Sequence, residues 1–361
     1  MFPSGLAGSK RNIGEMNMKA AIYHGIESVS VEELDMPECG EYDVILKNVK
    51  GSICGTDVGA YYHGGDDAGI FPENQFGHEM SSVVYKVGSK VEGIKEGMRV
   101  FPNPCLSKRP DCGLSSLSIC DECGAFSQYV QIQDAKLDYN IFSLPDNVSF
   151  DEGAIIEPFS VAMHGVNVGR AKAGEKVVIY GAGMIGLCAL SACIAKGIKD
   201  IVVVDINEWR LSKAKEMGAI PYNAKEGNLL GFLQETYGDT LINFGGSPVV
   251  DIDLFIDTSG ASNVIPEVTK MAKMNSRLVI IALYHHDSTF NPLDLVYSEM
   301  EIMGSIAYNA VDIKQCIEAL HKKSTPVEKI ITHHYVLDDI DKAFKQSAKS
   351  DETLKILIDH E

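Results

Sequence analysis

The sequence is poor in positive charge: 32 Lys and Arg stand against 50 Asp and Glu, for a formal net charge of −18. A surface so acidic repels nucleic acid and anionic lipid, so neither is expected as a partner. A secretory signal is also missing. Met1 to Asn17 is polar and glycine-containing, carries Lys10 and Arg11, and has no apolar core. That stretch reads as a disordered leader or an added segment, because Met18-Lys-Ala-Ala-Ile-Tyr looks like the natural start of a strand. Without a signal, the nine cysteines point to a reducing cytoplasm in which thiols bind metal or lie buried. No internal repeat or low-complexity tract is evident. A membrane span is not expected either. Val177 to Ala195 is nineteen residues without a charge, but three glycines, a β-branched start and Asp205 soon after argue against one.

What is present is an ordinary globular composition, 45% hydrophobic and 23% charged, over 361 residues, long enough for about two domains. From Met18 to about Phe150 short strand-like runs alternate with glycine and proline turns. They include Val44–Val49, Ser82–Val87 and Phe126–Ile132. From about Lys172 the pattern changes. Ile201–Asp205, Leu254–Asp257 and Arg277–Ala282 read as strands, and Glu208–Met217, Asn263–Lys273 and Asp312–Lys322 as helices. Such alternation implies a parallel sheet covered by helices on both faces. The tail Lys355-Ile-Leu-Ile is β-like, and Cys188 and Cys193 read as core residues.

Lys176-Val-Val-Ile-Tyr-Gly181-Ala-Gly183-Met-Ile-Gly186 is followed, nineteen residues after Gly186, by Asp205. Strand, glycine turn, helix, strand and acid come in the order and spacing of a dinucleotide-binding unit. Gly181 allows a tight turn off the strand. Gly183 lets backbone N–H groups approach a pyrophosphate at the positive end of the helix. Gly186 permits close packing of that helix. Asp205 is placed to accept from both ribose hydroxyls, and its charge repels a 2′-phosphate, so NAD is expected over NADP.

Four further stretches offer metal ligands: Cys54-Gly-Thr56-Asp57, Gly77-His78-Glu79, Glu157-Pro158, and the segment with Cys105, Cys112, Cys120 and Cys123. Each of the first three is unremarkable alone. Together they place a thiol, an imidazole and carboxylates ahead of one nucleotide-binding unit, and three ligands with an open fourth position are how a protein activates an alcohol on zinc.

With Asp205-Ile-Asn-Glu-Trp-Arg210-Leu, Asp257-Thr-Ser-Gly260 and Gly304-Ser-Ile-Ala-Tyr308 added, the chain from Met18 onward closely resembles the zinc-dependent medium-chain dehydrogenases, specifically their polyol branch. The resemblance implies an α/β protein: a GroES-like β-barrel catalytic domain made of residues 18–165 and 306–361, with a Rossmann doubly wound parallel sheet, 166–305, inserted. It carries over Cys54, His78 and Glu79 as zinc ligands, with Glu157 across the metal, binding it directly or through water. Asp57 orients His78, and Thr56 passes on the alcohol proton. Gly59 stands where simple-alcohol relatives place a relay His, leaving water, the ribose or His63 as proton exits. Gly181, Gly183, Met184, Ile185, Gly186, Asp205 and Arg210 become the cofactor-binding positions. Relatives pair the edge near Glu299–Tyr308 with a two-fold mate, which implies a homodimer or homotetramer.

One segment departs from the family. Its relatives hold a structural zinc with C-x2-C-x2-C-x7-C, whereas the spacing here is C-x6-C-x7-C-x2-C. The four cysteines still suggest metal, and a second zinc stays open. The expected function is zinc- and NAD-dependent oxidation of a secondary alcohol in a polyol, sugar alcohol or vicinal diol. Alternatives are a threonine-type amino-alcohol dehydrogenase, a zinc-free reductase of the superfamily, and a non-catalytic nucleotide-binding structural or sensor protein. Tyr61, Tyr62, His63, Lys108 and Arg109 read either as cleft-mouth residues or as solvated loop.

Overall fold

The computed structural model describes residues 17–107, 117–119, 124–238 and 241–360. Six parallel strands form one sheet in the order 220–223, 200–205, 176–180, 254–257, 277–280, 301–304. The order steps outward from Lys176–Tyr180 and then restarts on its other side, so the switch point lies between that strand and Leu254–Asp257. In doubly wound sheets the crevice beyond such a point takes the ligand.

The strands are apolar at consecutive positions because helices cover both faces. Val177, Ile179, Ile201 and Val203 join one buried cluster; Val178, Tyr180, Val202 and Val204 join the cluster on the opposite face. The two-residue period of a strand makes that division. Each such side chain contributes roughly 1.5–3 kcal/mol when fully buried, so a charge at Val203 would put an unpaired ion into a sealed layer. The long uncharged run resolves into the strand Lys176–Tyr180, a turn, and the twelve-residue helix Met184–Ala195, in which Cys188 and Cys193 are buried. No helix among the described residues is long and apolar enough to cross a membrane.

A second sheet runs Ile141–Ser143, Arg99–Pro102, Glu79–Val87, Val44–Ser52, Lys355–Asp359, Ile331–Val336, with Tyr129–Ile132 also paired to Val44–Ser52. The last strand of the chain lies antiparallel to Val44–Ser52, with Leu357 opposite Ser52. Strands from both the early and the late part of the sequence therefore build this sheet.

The elements read around Val44, Ser82, Glu208 and Asn263 appear with ends displaced by up to three residues. Larger differences have local causes. The strand expected over Phe126–Ile132 begins only at Tyr129. Before it, Phe126 packs edge-on against Phe76, its carbonyl accepts from Ala21 N–H at 2.8 Å, and Ser127 O accepts from Asn48 Nδ2. The strand Arg277–Ile280 stops short of Ala282 because Ile281 and Ala282 both donate to the Asp257 carbonyl. The helix expected from Asp312 begins at Ala310. Asn309 caps it by accepting from Val311 N–H at 2.8 Å, and Asp312 accepts in return from Asn309 N–H at 2.9 Å. Of the expected leader, Met1 to Met16 lie outside the described residues, while Asn17 opens the first strand, Asn17–Gly25.

Candidate active site

Antiparallel pairing explains why the metal-ligand candidates meet. Ser52, at the end of Val44–Ser52, is paired with Glu79, at the start of Glu79–Val87. The residues just past one and just before the other, Cys54 and His78, are thereby brought to the same end of the sheet. One donor atom each from Cys54, His78 and Glu79 lies within 4.8 Å of the others, the group of potential metal ligands found among the described residues. Gly77 makes the approach possible: its φ is +87°, and a Cβ there would meet the Phe126 ring at 2.7 Å.

Cys54 precedes the helix Gly55–His63, and its N–H donates to Asp57 Oδ2 at 2.9 Å. Asp57 is fully buried, with Oδ1 3.8 Å from His78 Nδ1 and otherwise without a partner. Thr56 is exposed, its hydroxyl 3.7 Å from Cys54 Sγ. Glu79 Oε2 accepts from the Ser52 hydroxyl and, at 2.6 Å, from Lys355 Nζ. Its other oxygen is buried with no partner. Lys355 is 1% exposed and also donates to the Ile53 carbonyl at 2.9 Å. Sequence reasoning missed this residue. The only trace it leaves there is a lysine heading an apolar strand that proves to be sealed on both sides.

Glu157 stands in the first turn of the helix Ile156–Val168, where a negative charge suits the helix dipole. It lies outside the tight cluster of Cys54, His78 and Glu79 but acts electrostatically on it. Burial, reinforced by the Glu79 charge, pushes its carboxyl up, against opposition from His78, Lys355 and a hydrogen bond with Tyr308. His78 shows the complementary effect. Desolvation disfavours its cation, yet the charge and hydrogen bond of Cys54, with Asp57 and Glu157, outweigh that and raise it well above the ordinary histidine value. The pocket thus favours positive charge. A sulfur, an imidazole and a carboxylate with an orphaned buried oxygen fit zinc.

Of the other candidates, Tyr61 is buried, stacked on Phe344 at 5.0 Å and bonded to Asp341 at 2.7 Å, and Tyr62 donates to the Phe344 carbonyl. Both serve packing, while His63 is exposed. A Cβ at Gly59 would meet nothing within 4 Å. Lys108, Arg109, Cys112, Cys120 and Cys123 lie outside the described residues, as does the Cys105 side chain, so the question of a second metal falls outside them too.

In the parallel-sheet unit the glycine turn follows the strand Lys176–Tyr180. Gly181 has φ +100°; a Cβ on Gly186 would sit 1.8 Å from the Gly181 carbonyl oxygen and 2.8 Å from Thr258 Oγ1. The third glycine therefore admits the turn's own backbone and Thr258. Gly183 precedes the helix, and Met184 and Ile185 form its first turn, where amides lack intrahelical partners. Asp205 closes its strand and accepts from Ala182 N–H at 2.6 Å, Ile206 N–H at 2.7 Å and Asn207 N–H at 2.9 Å. Arg210 Nη1 lies 3.8 Å from where a Gly183 Cβ would be. A cavity of ≈ 620 Å³ opens here, bordered by Gly181, Asp205, Tyr222, Ala261 and Glu267. Sequence reasoning did not single out Tyr222 or Glu267.

The "Alcohol dehydrogenase GroES-like domain" family matches residues 40–146, and the "Zinc-binding dehydrogenase" family matches 185–322. Human sorbitol dehydrogenase is 30% identical over 355 residues, covering 95% of this chain and 96% of its own. An L-threonine 3-dehydrogenase of Bacillus licheniformis is 30% identical over 349 residues, covering 92% and 96%. The crystal structure of 2R,3R-butanediol dehydrogenase from Bacillus subtilis superposes with a TM-score of 0.82 at 27% identity, over 95% of this chain and 99% of that one. Two family signatures in sequence order, full-length relatives and a shared architecture lead to one assignment: the chain belongs to the zinc-dependent medium-chain dehydrogenases, in their polyol-type branch.

Proposed function

We propose that Cys54, His78 and Glu79 hold a catalytic zinc and that the enzyme oxidises the secondary alcohol of a polyol, sugar alcohol or vicinal diol with NAD. The observation that carries this is the three-donor cluster, with the Glu157 charge acting on the same histidine. Zinc bound there would act as a Lewis acid that lowers the pKa of a substrate hydroxyl. NAD would supply the hydride acceptor.

The chain's own residues do the rest. Asp57 stabilises His78 from the Nδ1 side, leaving Nε2 for the metal. Lys355 and Ser52 fix one oxygen of Glu79 and leave the other free to ligate. The Thr56 hydroxyl accepts the alcohol proton and, being exposed, passes it to water; Gly59 leaves that path clear. Glu157, held by Tyr308, accepts from a second hydroxyl next to the reacting one. The amides of Met184 and Ile185 bind the pyrophosphate, while Asp205 and Arg210 bind the adenosine ribose.

Residues 18–165 with 306–361 are the catalytic domain in this reading, and 166–305 the Rossmann domain. The strand Glu301–Gly304 has a sheet partner on one side only among the described residues, which supports a homodimer, or a dimer of dimers, joined at that edge. The free thiols Cys39, Cys54, Cys188, Cys193 and Cys316 suit a cytoplasmic location.

The test compares kcat/KM for 2,3-butanediol, sorbitol, L-threonine and 2-butanol, in wild type and Glu157→Cys. Diol or polyol should be oxidised best by wild type, with the advantage shrinking in the variant. A preference for 2-butanol would sink the polyol assignment, and a preference for L-threonine would replace it with the amino-alcohol reading.

A further inference from the structure

The loop that follows Asp205 is in contact with a residue near the closing strand of the chain. Beyond Asp205 the chain continues Ile206-Asn207-Glu208-Trp209. Asn207 caps the helix Glu208–Glu216, its Oδ1 accepting from Arg210 N–H at 3.0 Å. The other half of that amide, Nδ2, donates to Asp351 Oδ1 at 2.5 Å, 144 residues away in sequence. Beside it, Arg210 Nε donates to the Ser350 carbonyl at 3.3 Å. Ser350 and Asp351 lie between the helix Ile340–Ser347 and the strand Lys355–Asp359, whose first residue holds Glu79. A groove of ≈ 330 Å³ opens at this contact, bordered by Ile206, Asn207, Glu208, Trp209, Lys225 and Asp351. Ile206 also borders the larger cavity beside Asp205, so the two spaces adjoin.

A 2′-phosphate on a ribose held by Asp205 would have to enter this groove. The groove offers it little. The amides of Ile206 and Asn207, natural anion donors, are already engaged by Asp205 Oδ1. The Asn207 side-chain N–H₂ is turned to Asp351; among the described residues bordering the groove Glu208 and Asp351 outnumber Lys225, and Arg210 beside it is turned to the Ser350 carbonyl. We propose that Asp351 is a specificity-determining residue: a second carboxylate, supplied by the C-terminal part of the chain, that keeps a 2′-phosphate out and occupies the Asn207 donor that would otherwise bind one. Choice between NAD and NADP is then made by both parts of the protein rather than by Asp205 alone. The proposal rests on the reading of Asp205 as the ribose-binding acid.

The intact protein is titrated calorimetrically with 5′-AMP and with adenosine 2′,5′-bisphosphate, in wild type, Asp351→Asn and Asp351→Lys. Asparagine keeps an oxygen for Asn207 and removes only the charge. Bisphosphate binding should tighten roughly threefold to tenfold in Asp351→Asn and further in Asp351→Lys, with 5′-AMP unchanged within about twofold and the gain shrinking at high salt. Equal effects on both ligands, or none on the bisphosphate, would overturn the role of Asp351 while leaving Asp205 intact. A wild type that binds the bisphosphate more tightly than 5′-AMP would overturn the Asp205 reading, and this proposal with it. Thermal melts of the variants establish that they are folded.

Discussion

The two groups of candidate site residues, here called the nucleotide wall and the metal wall, are assembled over very different lengths of chain. On the nucleotide side, turn, helix, strand and acid follow one another from Gly181 to Arg210, and the bond that ties Asp205 to Ala182 spans 23 residues. On the metal side, Ser52 and Cys54 come from one strand end, His78 and Glu79 from its neighbour, and Glu157 from a helix. Lys355 comes from the last strand, 276 residues beyond the Glu79 it holds. The first wall is a local motif. The second exists only once the sheet has formed, since the register of Ser52 with Glu79 and of Leu357 with Ser52 brings its parts together.

If the metal wall is one cooperative assembly, removing any ligand should disable all of it. Cys54→Ser should contain roughly one zinc fewer per chain than wild type by elemental analysis, with turnover abolished. Unchanged zinc and turnover would break the assignment of this cluster as the catalytic centre. Next in size is Lys355→Met. It leaves the Glu79 charge buried without its ammonium partner, a change that typically costs about 3–5 kcal/mol. Urea denaturation of the metal-free protein should show that loss, and Lys355→Met with Glu79→Gln should recover most of it. No loss in the single variant would mean that the pair contributes nothing to holding the strand ends together.

The same contrast explains what the sequence disclosed. The glycine turn and Asp205 were legible because their spacing fixes their geometry. The alternating strands and helices after Lys172 were legible because covering both faces of a parallel sheet forces apolar runs. Cys54, His78 and Glu157 could be named as candidates from residue type and family resemblance, but nothing in their spacing shows that they converge. Lys355 was invisible, since a lysine before Ile-Leu-Ile reads as an ordinary strand start and its burial depends on a strand pairing across the whole chain. Tyr222 and Glu267 were hidden for the same reason: they border the cavity beside Asp205 from an edge strand and from a crossover helix far apart in sequence. The end of the strand at Ile280 was set by the Asp257 carbonyl, a contact between neighbouring strands that no local propensity records.

The nucleotide wall, being local, should respond in a graded way. Asp205→Ser loses the anchor for three backbone amides and, on the proposed reading, the ribose acceptor. Losing hydrogen bonds to a charged group costs on the order of 1.5–3 kcal/mol, so the Kd for NAD should rise roughly tenfold to a hundredfold. Discrimination against NADP should relax. Asp205→Asn, which keeps an acceptor but not the charge, should fall between. Zinc content should stay at the wild-type level in both, since the two walls share no side chain. Loss of zinc in either variant would show that they are coupled more tightly than the contacts imply, and a wild type that prefers NADP would refute the role of Asp205.

The smallest expected effect concerns how the chain end is pinned to the metal wall. His360 Nε2 lies 2.8 Å from the Ala125 carbonyl, and Ala125 N–H donates to the Gly77 carbonyl at 3.1 Å, next to His78. Desolvation lowers the His360 pKa to about 4; the Ala125 bond and Asp359 oppose that and Lys50 adds to it. The unfolded chain titrates near 6.5. The folded value is therefore the depressed one, and the neutral ring's contribution is complete above about pH 6.5. It is lost progressively as pH falls toward about 4, because the unfolded state then binds the proton more readily. At about pH 5.5 those two values correspond to an effect on the order of 1 kcal/mol, an upper figure for a ring that is not wholly sealed. His360→Gln keeps a donor for Ala125 and cannot titrate in this range. Urea midpoints measured from about pH 7.5 to about pH 5.5 should therefore fall more steeply in wild type than in the variant. Parallel profiles would mean that His360 is solvated in the folded protein, and that the closing strand is tied to the Gly77 turn by its backbone pairing alone.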